Sequence, residues 1–132
     1  MRAVSRSDGR LVLIVEDDVD ARDAYDRFLA LSGFRTAVAN DGREGLRKIA
    51  SLVPDLVVMD LVMPGMSGRD AIQAMRDSEE TRGIPVLVLT AHARDGSDTV
   101  RTLGCEGFLI KPCSPSELLA EVNRVLQRVE KK

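Results

Sequence analysis

The chain has no tryptophan, one tyrosine and three phenylalanines, so aromatics are 3% of its 132 residues. That is too little for a base-stacking surface. Neither sign of charge dominates: 19 Lys and Arg face 21 Asp and Glu, a net of −2. No field favours nucleic acid or an anionic membrane. His92 is the single histidine, and Cys105 and Cys113 stand at no metal-ligand spacing. A His- or Cys-built metal centre is therefore not expected, and both thiols read as reduced, buried or half-buried groups. No apolar run approaches membrane-spanning length. The opening MRAVSRSDGR lacks the apolar core of a secretory signal and reads as a flexible lead-in over residues 1–10, with the cytoplasm as the expected location. There is no internal repeat and no low-complexity segment. What is present, 44% hydrophobic and 30% charged residues, fits one globular domain with a real core.

Five short apolar runs stand out: Leu11–Val15, Phe34–Ala39, Leu56–Met59, Val86–Leu89 and Phe108–Ile110. Four are nearly continuous and rich in Val, Ile and Leu, which suits strands buried on both faces. The second alternates and carries Arg35, as an edge strand does. Helical spacing lies between the runs: Ala24, Phe28 and Leu31 share a face, as do Leu46, Ile49 and Ala50, and Ala71, Ile72 and Met75. The last helix has a stripe of Leu118, Val122, Val125, Leu126 and Val129 behind a capping box, Ser114-Pro115-Ser116-Glu117. Asp41 caps the second helix. The segment Arg94–Leu103 is the weakest helix, because Gly96, Ser97 and Thr99 are poor helix formers. Glu130, Lys131 and Lys132 read as a solvated helix end. Five alternations of strand and helix predict an α/β fold: a doubly wound, five-stranded parallel sheet of (βα)5, flavodoxin-like type, with helices on both faces. In such sheets ligands bind beyond the carboxyl ends of the strands.

The residues that close the apolar runs are polar. Glu16, Asp17 and Asp18 follow the first, Asp60 the third, Thr90 the fourth and Lys111 the fifth. All fall on one edge of the sheet. Carboxylates about 5 Å apart repel by roughly 3 kcal/mol per pair at an effective dielectric near 20. Such a cluster either raises a pKa or holds a hard cation, and oxygen donors without His or Cys suit Mg²⁺. Lys111 offers a point charge and Thr90 a hydroxyl, so cation, Lys and Thr together would surround a transferring phosphoryl group. Asp60 then has the role of a carboxylate nucleophile.

With these residues assembled, the chain resembles the receiver domain of two-component response regulators. The resemblance covers nearly all of Leu11 to Val129 and rests on VEDD around Glu16 and Asp17, MDLVMPGMSG around Asp60, LTA at Thr90 and KPCS at Lys111. It implies that Asp60 is the phosphoacceptor, fed by the phosphohistidine of a histidine kinase or histidine phosphotransfer protein, or by a small phosphodonor. It implies that Mg²⁺ (or Mn²⁺) is held by Asp17 and Asp60 directly, by Glu16 mainly through water, and by the backbone carbonyl of Val62. Glu16 stands where the family more often has Asp. Thr90 and Lys111 match the phosphate-binding hydroxyl and lysine, and Phe108 matches the switch aromatic, without the hydroxyl of the more usual Tyr. Val62 and His92 occupy positions that tune phosphate loss. A cis Lys111–Pro112 peptide is implied as well.

The resemblance also implies a signalling switch rather than a turnover enzyme. Phosphorylation would draw in Thr90 and Lys111, Phe108 would follow, and the face of the fourth helix, fifth strand and fifth helix would change for a downstream protein target. A homodimer is left open; direct nucleic-acid and membrane partners are not expected. Residues 11–130 read as a single receiver domain with no output domain after it, either stand-alone or a fragment of a larger regulator or hybrid kinase. A small Mg²⁺-dependent aspartyl-phosphate phosphohydrolase is the alternative of another class, but it would place a second acid two residues after the nucleophile, where this chain has Val62. A flavodoxin-like nucleotide binder would need a phosphate loop where Glu16, Asp17 and Asp18 stand.

Overall fold

Runs of Val, Ile and Leu that fit a pleated surface buried on both sides become the central strands of the chain. The structure is a computed structural model, and it describes residues 9–130. The elements are β1 (Leu11–Val15), α1 (Val19–Leu31), β2 (Arg35–Ala39), α2 (Gly42–Leu52), β3 (Leu56–Asp60), α3 (Gly68–Asp77), β4 (Val86–Thr90), α4 (Ala93–Leu103), β5 (Gly107–Ile110) and α5 (Pro115–Glu130). The sheet is parallel with strand order β2-β1-β3-β4-β5. From β1 the chain steps outward to β2 and then returns to lay β3 on the other side. The switch point therefore lies between the carboxyl ends of β1 and β3.

Alternation along the strands divides the core in two. Leu13, Val15, Val57, Met59, Val86 and Val88 face α2, α3 and α4, through Ile49, Ile72, Met75 and the partly buried Val100 and Leu103. Val12, Ile14, Leu56, Val58, Leu87 and Leu89 face α1 and α5, through Tyr25, Leu29, Leu118, Val122 and Val125. Met59, Met63 and Met75 are buried as packing residues, and Met66 lies against them.

The caps form as the sequence implies. Asp41 accepts from the Glu44 N–H at 2.8 Å, and Glu44 reaches back to the Asn40 N–H at 2.7 Å. Ser114 Oγ accepts from the Glu117 N–H at 3.1 Å while Glu117 accepts from the Ser114 N–H at 2.8 Å. The Lys111–Pro112 peptide is cis.

Five expectations need correction. The Ala24–Phe28–Leu31 side of α1 does not cover the sheet: Tyr25 and Leu29 do, and Leu31 is 81% exposed. Those outward residues line a surface groove with Asp23 and Arg27. β5 is not a strand buried on both faces, because it is the second edge of the sheet and its residues are half-buried or, at Ile110, exposed. In α5 the stripe is buried through Leu126, whereas Val129 lies on the open last turn. The lead-in stops short of Arg10, whose carbonyl accepts from the Arg35 N–H at 2.9 Å and whose guanidinium pairs with Glu130 at 2.8 Å. Glu130 is thus an anchored end and not simply a solvated one. The rest of the expected lead-in, residues 1–8, and Lys131 and Lys132 lie outside the described residues.

Candidate functional site

Strands β1, β3, β4 and β5 each hand one polar group to the same edge. Asp60 is the last residue of β3, paired in register with Leu89 of β4, and Thr90 pairs with Ile110 just before Lys111. Glu16 follows β1, its N–H held by the Ala39 carbonyl at 3.0 Å. Sheet register alone therefore brings positions 16, 60, 90 and 111 to one mouth.

The carboxylates cluster there. Glu16, Asp17 and Asp60 each offer an oxygen within 4.8 Å of the other two. Glu16 is fully buried and Asp60 is 3% exposed, whereas Asp17 reaches the open rim. Lys111 Nζ donates to Glu16 Oε1 at 3.0 Å and to Asp60 Oδ2 at 3.2 Å. The Val62 N–H donates to Asp60 Oδ1 at 3.3 Å. A Lys111–Asp60 pair was legible from charge. The shorter pair with Glu16 was not, because charge does not say which acid of the cluster the lysine reaches more closely. The long Glu arm explains it: Oε1 reaches Lys111 while Oε2 accepts the Asp18 N–H at 3.1 Å.

Burial sets the electrostatics. Asp60 is pushed up to about 7, first by desolvation and next by the negative Glu16 beside it, against the pull of Lys111 and the Val62 N–H. Burial works to lower Lys111, yet its pairing with Glu16 and Asp60 holds it above its ordinary value. Hard oxygen donors, one of them open to solvent, fit a small divalent cation.

The remaining expected residues surround this cluster. Thr90 is buried, and its hydroxyl accepts from the His92 N–H and approaches the His92 carbonyl, each at 3.2 Å. His92 itself is exposed at the head of α4. The Val62 side chain is 71% exposed and, with Leu61, Ser67, Arg69 and Asp95, lines a depression of about 260 Å³ beside Asp60. Arg69 and Asp95 went unnoticed in the sequence, since single charges on helices carry no signal. Phe108 is half-buried on β5. Behind the loop, a Cβ on Gly68 would lie 2.0 Å from the Asp60 carbonyl oxygen, so only glycine lets α3 start this close to β3. The turn before it contains Gly65 at φ +77°. From the other side, the Tyr25 hydroxyl donates to the Cys113 carbonyl at 3.1 Å, tying α1 to the loop that carries Lys111.

The family described as "Response regulator receiver domain" matches residues 12–123. The chain is 38% identical over 119 residues to the DNA-binding response regulator MtrA of Mycobacterium tuberculosis, covering 89% of this chain and 50% of that protein. It is 34% identical over 122 residues to the phosphate regulon transcriptional regulatory protein PhoB of Escherichia coli, covering 91% and 53%. The chain thus spans about half the length of the curated relatives it matches. Among solved structures it is similar to the chemotaxis response regulator CheY4 of Vibrio cholerae, with a TM-score of 0.83, 30% identity, and 89% and 98% of the two chains covered. No helix among the described residues is long and apolar enough to cross a membrane.

Proposed function

This chain belongs to the response regulator receiver family of two-component signalling, and on that premise we propose that Asp60 is its phosphoacceptor. The observation that carries the reading is the setting of Asp60. It is a buried carboxylate held between Lys111 at 3.2 Å and the Val62 N–H at 3.3 Å, with Glu16 and Asp17 alongside. One oxygen of ionised Asp60 attacks the phosphorus of a phosphohistidine. The O–P bond forms, the P–N bond breaks, and the leaving imidazole keeps the electron pair and takes up a proton. Lys111 leaves its carboxylate partners to donate to a phosphoryl oxygen. Thr90 turns its hydroxyl from the His92 backbone to another.

Receivers bind Mg²⁺ at an acidic pocket, and the residues that would hold Mg²⁺ (or Mn²⁺) here are Asp17, Asp60, the Val62 carbonyl and, through water, Glu16. The chemistry the cation supplies when bound is charge neutralisation between these carboxylates and an incoming phosphoryl group. The product acts as a switch and not as a turnover enzyme: two residues after Asp60 stands the apolar, exposed Val62, which activates no water. The donor is a histidine kinase or histidine phosphotransfer protein. The reader is a downstream protein that docks on the α4–β5–α5 face, with a second copy of the chain as the other occupant that face admits.

The test is incubation with Mg²⁺ and a small phosphodonor, read by intact mass. One labile phosphate is expected on the parent and none on Asp60→Asn; uptake by the variant equal to the parent would overturn the assignment. Asp17→Ala is expected to lose Mg²⁺ affinity in a direct titration, and unchanged affinity would remove that residue from the ligand set.

A further inference from the structure

Gly96 sits in the first half of α4, where glycine is a poor helix former compared with alanine. Conformational freedom does not explain it, because Gly96 is not among the glycines with positive φ. Space does. A Cβ on Gly96 would lie 2.6 Å from Phe108 Cδ2, 2.7 Å from Phe108 Cγ and 2.9 Å from Thr90 Cγ2. These atoms sit at the base of a ring and on a β-branched carbon, so none is the free end of a flexible side chain. Residue 96, the ring of Phe108 and the methyl of Thr90 therefore share one space, and the ring occupies it only because residue 96 has no side chain.

The rest of α4 makes that contact decisive. Its buried residues are Gly96 and Thr99, and the Thr99 hydroxyl has no hydrogen-bond partner among the described residues. Val100 and Leu103 are only partly buried. No large side chain of α4 lies wholly in the core, so Phe108 from β5 supplies the wedge at its amino-terminal half. The other end is fixed: the Arg76 guanidinium donates to the Leu103 carbonyl at 2.9 Å and the Gly104 carbonyl at 3.1 Å, and also to the Ile84 carbonyl at 2.9 Å. The helix is pinned at its carboxyl end and seated on a ring near its start.

We propose that Gly96 is a positioning residue of the switch: its empty Cβ space seats the Phe108 ring on the Thr90 methyl, so that movement of Thr90 toward phosphorylated Asp60 is passed to Phe108 and to the amino-terminal half of α4. This rests on the phosphoacceptor reading for Asp60, and it deepens that reading by naming the contact through which Thr90 reaches the output face. A side chain at 96 expels the ring, and the transmission stops while the carboxylate site remains.

The experiment labels phenylalanine with fluorine, assigns Phe108 by comparison with Phe108→Leu, and adds beryllofluoride with Mg²⁺ as the phosphoryl mimic. In the parent, the Phe108 resonance is expected to shift on addition. In Gly96→Ala it is expected to be displaced beforehand and to lose at least half of that shift, while mass spectrometry still finds phosphate on Asp60 from a small phosphodonor. A Phe108 resonance that responds in Gly96→Ala as in the parent overturns the proposal. A second arm reads melting temperature and stands even if Gly96→Ala folds poorly. Gly96→Ala is expected to lower it clearly more in the parent background than beside Phe108→Ala, where the ring is gone and only the Thr90 methyl contact remains. An equal loss in both backgrounds overturns the seat. If the parent itself takes up no phosphate, the Asp60 reading fails, and the melting comparison still decides the contact.

Discussion

At the scale of single residues, the carboxylate that ends β3 is the costly one. Its pKa is raised from 3.8 to about 7, chiefly by desolvation and then by Glu16. The sign follows directly. Below pH 4 the group is protonated both folded and unfolded and contributes no penalty. Between about 4 and 7 the unfolded chain releases the proton first, so metal-free stability falls with rising pH, by up to about 4 kcal/mol above pH 7. Asp60→Asn removes that penalty. In chelator-treated buffer the variant is expected to gain on the parent at pH 8 far more than at pH 4, measured by denaturant midpoints; a pH-independent difference would sink the argument. Lys111 is the counterpart. Lys111→Met leaves the fully buried Glu16 without its cation and is expected to cost about 3–5 kcal/mol at neutral pH in the same assay. Cys105 behaves otherwise: burial pushes its thiol up to about 11. It is expected to resist alkylation in the folded protein at pH 8 and to react once denatured; fast labelling of the native chain would contradict its burial.

At the scale of elements, two glycines show what periodicity does not reveal. Gly68 opens α3 against the Asp60 backbone, and its Cβ would overlap the carbonyl. Gly68→Ala is expected to destabilise by about 2–4 kcal/mol and to slow phosphate uptake, because it shifts the loop that carries Val62. Gly83→Ala, where nothing lies within 4 Å of a new Cβ, is the control and is expected to stay within about 0.5 kcal/mol. The caps of α2 and α5 were legible, since Asp41 with Glu44 and Ser114 with Glu117 act within four residues. Helix α4 was legible as weak from Gly96, Ser97 and Thr99. That its weakness is a seat for Phe108 could not be read, because the ring arrives from a different strand.

At the scale of the molecule, the sheet decides which helix faces matter. In α1 two stripes compete, Ala24–Phe28–Leu31 and Tyr25–Leu29, turned about 100° apart by a one-residue offset. Both are amphipathic enough to cover a sheet, and the position of β1 and α5 selects the second. Leu29→Ala is accordingly expected to cost about 2–5 kcal/mol, and Leu31→Ala, 81% exposed in the parent, less than about 0.5 kcal/mol; equal losses in thermal or chemical unfolding would reverse the assignment. Residue order was enough for the alternation of strands and helices, the edge on which Glu16, Asp17, Asp60, Thr90 and Lys111 meet, and the chemistry those groups permit. These depend on short-range patterns: where an apolar run stops, a polar side chain must face solvent or a partner. The open β5 edge, the sharing of Lys111 between Glu16 and Asp60, the tie from Tyr25 to Cys113, and the contact of Gly96 with Phe108 emerge from three-dimensional packing. Each joins residues far apart in the chain, and whether two such groups touch depends on the packing of the layers between them, which no local pattern encodes.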